Sequence, residues 1–300
     1  MDYVIISAAD DSYINTIIDF IHCLPCDKSK FILYYIGFND NNLNLIFDLK
    51  DKYNFKLKKF NYSDYPEHVD LKIYNGLYCS YAFKPIIIYN EANEEYNKNK
   101  ILLWMDSANR FNINCINEII KIVIIYGIYS PLSAHKNTIE SIELNNYQTV
   151  SYYSLTDYEH KNELESISAN LIGINYASQT GSTILNQWYN DSLKREIIMP
   201  NNTNRNNHRQ DQSVLSILMY LYEKQNNVLF YKNNVGVEFW KKKDNQKIQE
   251  DVFPFKLLNK NGNHLAIIYC KTLDEAVFVY SNRKKLSVED FLQNFIVICG

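Results

Sequence analysis

The first hundred residues repeat a short apolar run followed by a segment with apolar residues at helical spacing. The apolar runs predict strands at residues 3–7, 31–36, 55–60 and 101–106. The segments between them predict helices at residues 13–24, 43–53 and 78–92. Strands that alternate with helices at this spacing form a mostly parallel sheet whose connections are helical. The pattern therefore predicts an α/β fold with a mostly parallel central sheet flanked by helices.

The second half of the chain is less regular. It predicts helices and short strands at residues 113–125, 127–134, 171–174, 183–193 and 214–222. The charged run at residues 241–250 is typical of a solvated connection. Beyond it the pattern predicts two strands and a capped helix, at residues 264–270, at 276–280 and from Ser287 onward. We therefore divide the chain into a domain at residues 1–240 and a small α+β extension at 241–300.

The chain ends on the apolar run FIVICG, at residues 295–300. An apolar strand in this position resembles the first strand of a further domain. The expectation from the sequence is that the chain is a fragment of a longer protein, in which another domain follows the extension.

One predicted strand ends in a candidate site. The stretch ILLWMDSANR, at residues 101–110, begins with five apolar residues and becomes polar at Asp106. A strand that is apolar at consecutive positions is buried on both faces, so it lies inside the sheet. Ligands of open α/β sheets bind in the crevice at the carboxyl ends of the strands. Asp106 is therefore a candidate for holding a metal or a sugar hydroxyl, and the alternative is that it caps the following turn.

Composition and charge narrow the range of functions. The net charge of −3 does not indicate a nucleic acid partner. No apolar run approaches the roughly 20 residues that cross a bilayer, and the first residues lack the lysines of a signal peptide, so the expected location is cytoplasmic. The 6 cysteines are scattered, and the single CxxC of Cys23 and Cys26 does not indicate a zinc site. The many Tyr, Ile, Asn and Lys residues are typical of an AT-rich genome, such as that of a large DNA virus.

A second polar run stands before the helix predicted at residues 214–222. The sequence HRQDQS follows a polar loop at residues 199–207 and leads directly into that helix. The simplest explanation for Asp211 is a helix cap, because a carboxylate there accepts backbone amide hydrogens and complements the helix dipole. The run from His208 to Gln212, however, contains five consecutive residues able to bind or transfer protons, which is more than a cap requires. We therefore treat this run as a second candidate site.

Five segments occur in an order that resembles the GT-A nucleotide-sugar glycosyltransferases, nearest to their glycogenin-like branch. They are ISAADDSY after the first strand, SYAFKPIII before the fourth, LLWMDSA at its end, ISANLIGIN downstream and HRQDQSVLSIL entering the late helix. The resemblance covers roughly residues 1–240. It implies a GT-A-like, Rossmann-like fold and the transfer of a sugar to a hydroxyl group of a glycan or protein. The favoured donor is a UDP-sugar, as for a hexosyltransferase.

The resemblance also implies roles for individual residues. The first loop of the family holds the nucleotide base, and a lysine before the aspartate motif reaches the donor nucleotide or its phosphates. The residues assigned to the donor are Ala8, Ala9, Asp10, Tyr13, Lys84, Ser107, Asn170 and Arg209. Asp211 and Gln212 match a pair that lies beside the acceptor and the reacting sugar carbon, so they are the expected catalytic residues.

The metal motif of the family is only half present. The family pattern is Asp-x-Asp, whose second carboxylate ligates a divalent ion on the donor diphosphate, whereas residues 106–108 read DSA and an alanine cannot ligate. The resemblance still implies a weakly held Mn²⁺ or Mg²⁺ on Asp106, His208, the diphosphate and water, because Mg²⁺ commonly keeps several waters. The alternative is that the ion is dispensable and that the charge of the departing diphosphate is balanced by Lys84, Arg110 or Arg209.

Two other functions stay open. The missing second aspartate favours a non-catalytic relative that keeps the crevice and binds a nucleotide or a glycan. A nucleotidyltransferase shares this type of sheet but needs a glycine-rich basic loop after the first strand, which ISAADDS does not provide. The absence of GxGxxG and GxxxxGK[ST] argues against dinucleotide dehydrogenases and P-loop NTPases. The sequence does not indicate the oligomeric state.

Overall fold

The computed structural model describes residues 2–71, 80–133, 146–155, 163–201, 203, 208–239, 253–261, 264–270, 277, 281, 284 and 286–299. The chain divides into two compact units, residues 1–242 and residues 243–300. All the candidate site residues lie in the first unit.

The first unit is built on a mixed sheet. Its strands are β1 (Tyr3–Ala9), β2 (Phe31–Tyr35), β3 (Lys56–Lys59), β4 (Ile101–Met105), β5 (Asn109–Arg110), β6 (Ile128–Tyr129), β7 (Leu171–Asn175) and β8 (Glu238–Phe239). Six of them form one sheet in the order β3-β2-β1-β4-β7-β6, and β5 pairs with β8. Strands β3, β2, β1 and β4 are parallel, while β7 runs antiparallel to both β4 and β6. The predicted α/β class with a mostly parallel central sheet is confirmed.

Helices cover both faces of this sheet. They are α1 (Ile14–Cys23), α2 (Asp40–Tyr53), α3 (Phe83–Asn93), α4 (Ile113–Tyr126), α5 (Tyr147–Tyr152), α6 (Gln179–Ser192), α7 (Arg195–Ile198) and α8 (Gln210–Asn226). Helix α3 begins later than the sequence predicts. Tyr81 has a φ of 52°, which is left-handed and cannot continue into a regular helix. No helix among the described residues has the length and apolar character needed to cross a membrane.

Strand β4 lies inside the sheet and separates two apolar cores. Its five residues are buried, as the run of consecutive apolar positions predicted. Leu102 and Trp104 face the core formed with α3, α6, α7 and α8. Ile101, Leu103 and Met105 face the core formed with α1 and α4. Burial of each large apolar side chain contributes about 1.5–3 kcal/mol, so β4 is a rigid support for the residue that follows it.

The strand order has a switch point at one edge of the sheet, where a ligand crevice is expected. The chain adds β2 and β3 on one side of β1 and then places β4 on the other side. At such a switch point the loops that leave the two adjacent strands diverge, and ligands bind between them. Asp10 directly follows β1 and Asp106 directly follows β4, so both lie at this edge.

The second unit contains a three-stranded antiparallel sheet and a short helix. Its elements are β9 (Phe253–Asn259), β10 (His264–Cys270), α9 (Val288–Asn294) and β11 (Phe295–Cys299), with the strand order β10-β9-β11. Ser287 caps α9, as predicted, by accepting the backbone N–H of Asp290 at 3.1 Å. The final apolar run forms β11, the third strand of this sheet. The predicted strand at 276–280 lies outside the described residues except for Val277, which is helical.

Candidate active site

Three charged side chains meet at the carboxyl edge of the central sheet. The Nζ atom of Lys84 lies 3.0 Å from Oδ2 of Asp211 and 3.4 Å from Oδ1 of Asp106. Lys84 belongs to the first turn of α3, Asp106 follows β4, and Asp211 belongs to the first turn of α8. The structure therefore brings together three predicted site residues that are far apart in the sequence. We call them the Lys84 cluster.

Burial differs among the members of the Lys84 cluster. Lys84 and Asp211 are 5% and 4% exposed, whereas the side chain of Asp106 is 35% exposed. Burial opposes the charge of Lys84, but the attraction of Asp106 and Asp211 outweighs it and raises the pKa of the ammonium. Burial raises the pKa of Asp211 to about 6, although Lys84 opposes the shift. The cluster thus combines a partly exposed carboxylate with a buried carboxylate whose pKa is raised by burial.

Asp106 is held in place by its neighbours on both sides. The indole N–H of Trp104 donates to Oδ1 of Asp106 at 2.7 Å, and the backbone N–H of Asp106 donates to the carbonyl of Asn170 at 2.9 Å. Trp104 was not predicted as a site residue. Its spacing was nevertheless a usable signal, because residues two apart on a strand point to the same face.

Asp211 follows a strained backbone position. Gln210 has a φ of 43°, and a non-glycine residue in this left-handed region costs on the order of 1–3 kcal/mol. Such strain persists where the surroundings enforce it, and here the indole N–H of Trp188 donates to the carbonyl of Asp211 at 3.1 Å. Helix α8 has Arg209 at its N-cap, with no side-chain cap hydrogen bond. The carboxylate of Asp211 instead faces Lys84, which does not support the capping explanation.

His208 and Gln212, which belong to the same polar run as Asp211, form hydrogen bonds with other parts of the protein. Nε2 of Gln212 donates to Oγ of Ser166 at 2.9 Å. The buried ring of His208 donates from Nε2 to the carbonyl of Ile198 at 3.0 Å, and its Nδ1 accepts the backbone N–H of Asn146 at 3.3 Å. Burial lowers the pKa of His208 to about 4, so the ring is neutral at pH 7. His208 therefore fixes the start of α8, and in this arrangement neither nitrogen is available to a metal ion.

The residues predicted to hold the nucleotide base lie at the end of β1 and after it. Ala8 and Ala9 belong to the strand, and the side chain of Ala9 packs into the core. The carboxylate of Asp10 accepts the backbone N–H of Ser12 at 3.0 Å, and burial raises its pKa. Tyr13 is exposed beyond that turn. The loop therefore offers Asp10 and Tyr13 as side chains at the same edge of the sheet as Asp106.

The remaining predicted donor residues lie beside Asp106 or Asp211. Ser107 is buried, and its carbonyl accepts an Nη1–H of Arg110 at 2.7 Å. Asn170 contributes the carbonyl that fixes the backbone of Asp106. Arg209 occupies the N-cap position of α8, two residues before Asp211. Ser107 and Asn170 thus adjoin Asp106, and Arg209 precedes Asp211 along the chain.

The side chains available as metal ligands do not fit the metal site that the resemblance implies. The ammonium of Lys84 already lies between the two carboxylates, the buried Ala108 supplies no ligand, and both nitrogens of His208 are engaged. In the described part of the chain, no group of three or more His, Cys, Asp or Glu side chains could hold a metal ion. Asp106 is the more exposed carboxylate of the Lys84 cluster. A single carboxylate is a weak site for a hard divalent cation.

Comparisons with known proteins give one partial family match. Residues 1–89 match a family model described as a protein of unknown function (DUF1647). No curated protein matches the chain.

Several solved structures are similar to the chain, and the three described here are glycosyltransferases. The bifunctional glycosyltransferase WbbM in its apo form has 10% identity and a TM-score of 0.45, with 73% of this chain and 38% of that chain covered. The galactosyltransferase LgtC, in complex with donor and acceptor sugar analogs, has 13% identity and a TM-score of 0.45, with coverages of 81% and 87%. Mouse xyloside xylosyltransferase 1 in its apo form has 10% identity and a TM-score of 0.41, with coverages of 77% and 85%.

This chain thus spans 38% of WbbM, although it spans most of the other two proteins. At these identities and TM-scores, none of the three structures assigns a residue, a donor or an acceptor to this chain. Neither the glycogenin-like branch nor a viral source follows from these matches.

Proposed function

We propose that this chain is a glycosyltransferase that moves a sugar from a nucleotide diphosphate donor, with UDP-sugars favoured, to a hydroxyl group of a glycan or protein. The observation that carries the proposal is the Lys84 cluster, which joins Asp106 at the end of β4 to Asp211 at the start of α8. Sugar transfer needs a group that fixes the donor and a group that acts on the acceptor hydroxyl. Asp106 and Asp211, which both lie beside the ammonium of Lys84, can fill these two roles.

The role of Asp211 depends on the stereochemistry of the transfer. If the enzyme inverts the anomeric carbon, the carboxylate of Asp211 takes the proton of the acceptor hydroxyl. The acceptor oxygen then bonds to that carbon while the bond to the diphosphate breaks. If the enzyme retains the configuration, Asp211 instead accepts hydrogen bonds from the donor sugar and positions it. Gln212, the next residue of α8, is the second proposed catalytic residue, and its Nε2 donates to Oγ of Ser166 in this structure.

The charge of the departing diphosphate must be balanced at the same edge. Arg110 follows Asp106 by four residues, and its Nη1 donates to the carbonyls of Ser107 and Asn109 at 2.7 and 2.8 Å. These bonds hold one end of the guanidinium group and leave its other N–H groups for an anion, because arginine has five donors. Arg110 is therefore the proposed phosphate partner.

The proposal can be tested by ligand binding followed by a product assay. The melting temperature is measured with UDP-, GDP- and dTDP-sugars, because a ligand present at 100 times its Kd stabilises the folded state by about 2.7 kcal/mol. We expect one nucleotide class to raise the melting temperature, and its sugar donor to release free nucleoside diphosphate when an acceptor is added. If no nucleotide or nucleotide sugar raises the melting temperature, the proposal is wrong.

The second candidate is a non-catalytic relative that binds a nucleotide or a glycan. Ala108 in place of the second metal-binding aspartate favours it. This candidate predicts that a nucleotide sugar raises the melting temperature but that no nucleoside diphosphate is released with any acceptor.

The pH dependence of turnover provides the next prediction. In the proposed function Asp211 acts as a carboxylate, and burial raises its pKa to about 6. We expect kcat/KM to be constant above about pH 7 and to fall tenfold per pH unit below about pH 6, because protonation removes the base. A profile that stays flat down to pH 5 would exclude Asp211 as the ionised group. The control is the Asp211→Asn variant, whose residual kcat/KM should not show this fall at low pH.

The next prediction concerns a divalent metal ion and follows from the small number of metal ligands around Asp106. Because one partly exposed carboxylate holds a divalent ion weakly, we expect chelation with EDTA to lower turnover by less than about tenfold. Added Mn²⁺ or Mg²⁺ should then restore the lost activity only in the millimolar range. Complete loss of turnover with EDTA, reversed by micromolar Mn²⁺, would contradict this expectation.

A further inference from the structure

The ammonium of Lys84 is buried among acceptors that the protein itself supplies. Its Nζ donates to the carbonyl of Ala169 at 2.8 Å, and lies 3.0 Å from Oδ2 of Asp211 and 3.4 Å from Oδ1 of Asp106. An ammonium group has three N–H donors, and three acceptors surround this one. The centroid of the Trp104 ring also lies 5.6 Å from Nζ. The protein therefore places as many acceptors around this ammonium as it has N–H donors, although a hydrogen bond forms only with the carbonyl of Ala169.

This arrangement disagrees with the role that the resemblance implies for Lys84. A lysine that binds donor phosphates must present its ammonium to the crevice. Lys84 is 5% exposed, and its neighbours already supply two negative charges and a carbonyl. An anion could reach it only if one of the two carboxylates moved away, which would leave that charge uncompensated.

We propose that Lys84 is a positioning residue that holds Asp106 and Asp211 together as one unit and makes no contact with the donor phosphates. The inference rests on the proposed function, because Asp106 and Asp211 are the groups that act on the donor and the acceptor. Without the ammonium the two carboxylates repel each other, so the geometry that links the end of β4 to the start of α8 is lost. The nucleotide-binding part of the crevice is not affected.

The test separates turnover from nucleotide binding in the variant Lys84→Met. Methionine has a similar length and no charge. If Lys84 positions the carboxylates, kcat should fall at least about 10²-fold while the Kd of UDP and of GDP stays within about twofold of the unmodified protein. If Lys84 binds phosphate, the Kd of the diphosphate should rise at least about tenfold, which would overturn the proposal.

The chain offers a matched control, a second lysine that pairs with a carboxylate of α3. Lys58 of β3 lies 2.6 Å from Glu91 and 3.0 Å from Glu94, so it also joins a buried carboxylate to a partly exposed one. Glu91 belongs to α3 and lies seven residues beyond Lys84, about 10 Å along the helix axis. Lys58→Met should lower the melting temperature without changing kcat. A similar loss of kcat in Lys58→Met would mean that turnover reports only stability, and would overturn the proposal.

A second variant covers the case in which Lys84→Met does not fold. Lys84→Met combined with Asp211→Asn removes the ammonium together with one of its buried partners, so less uncompensated charge remains. The positioning role predicts that this double variant binds UDP or GDP as the unmodified protein does, and a Kd at least about tenfold higher would overturn it. If neither diphosphate binds the unmodified protein, the proposed function itself fails, and this outcome is distinct from weakened binding in the variants alone.

Discussion

The variant Asp106→Asn is expected to lose turnover by at least about 10³-fold while its melting temperature changes by less than about 4 °C. The side chain of Asp106 is partly exposed, so it contributes little packing. An asparagine oxygen can still accept the indole N–H of Trp104, so the local structure is kept. The amide lacks the negative charge that pairs with Lys84 and that, in the proposed function, holds the donor at the strand end.

The measurement is turnover and melting temperature on the same preparation. Glu94→Gln is the matched control, because Glu94 is also a partly exposed carboxylate that pairs with a lysine, at 3.0 Å from Lys58. The control should retain full turnover. If Asp106→Asn unfolds and its folded fraction remains active, the residue has a structural role instead of a role in the site.

The main strands and the position of Asp106 could be predicted from the sequence because they depend on local patterns. Five consecutive apolar residues require burial on both faces, and this alone places β4 inside the sheet. The change to a polar residue after Met105 then fixes the end of the strand. No contact with another part of the chain is needed for either conclusion.

The association of the Lys84 cluster could not be predicted from spacing. Lys84, Asp106 and Asp211 meet because α3 and α8 pack on the face of β4 that carries Trp104. Nothing in the sequence near any one of them specifies the other two. The resemblance suggested that all three belong to one site and that Lys84 reaches the donor nucleotide or its phosphates, whereas we propose that Lys84 positions the two carboxylates.

The role of His208 could not be predicted from the sequence for the same reason. Its position in a run of polar residues favoured a metal ligand, since the sequence does not say which way a ring points. Contacts with Ile198 and Asn146, which are distant in the sequence from the metal motif, occupy both of its nitrogens. Side-chain function in such a run is decided by tertiary contacts.

Strand β9 was missed for a different physical reason. Proline lacks the N–H that a strand donates, so a run containing Pro254 is not expected to be a central strand. The proline lies near the start of β9, where it is opposite Tyr269 of β10, and the pairing with β11 reaches only as far as Phe255. The residue that lacks a backbone N–H therefore lies where β9 pairs only with β10.

The variant Asp211→Asn is expected to lower turnover by at least about 10²-fold and to leave donor affinity within about threefold of the unmodified protein. The amide cannot take a proton, and it cannot provide the charge that Lys84 stabilises. In the proposed function Asp211 acts mainly in the transition state, so its loss should appear in kcat and not in donor binding. Lys84 keeps the carbonyl of Ala169 and the carboxylate of Asp106 as partners, so the fold should persist.

A helix cap predicts a different result for the same variant, because asparagine caps a helix about as well as aspartate and both stability and turnover would survive. Glu91→Gln is the matched control, since Glu91 is a fully buried carboxylate that pairs with Lys58 at 2.6 Å away from the crevice. It should lower the melting temperature and leave kcat unchanged. Comparing kcat, donor affinity and melting temperature across the two variants separates loss of a buried charge from loss of a catalytic group. An Asp211→Asn variant with full turnover removes Asp211 from the site, whatever its melting temperature.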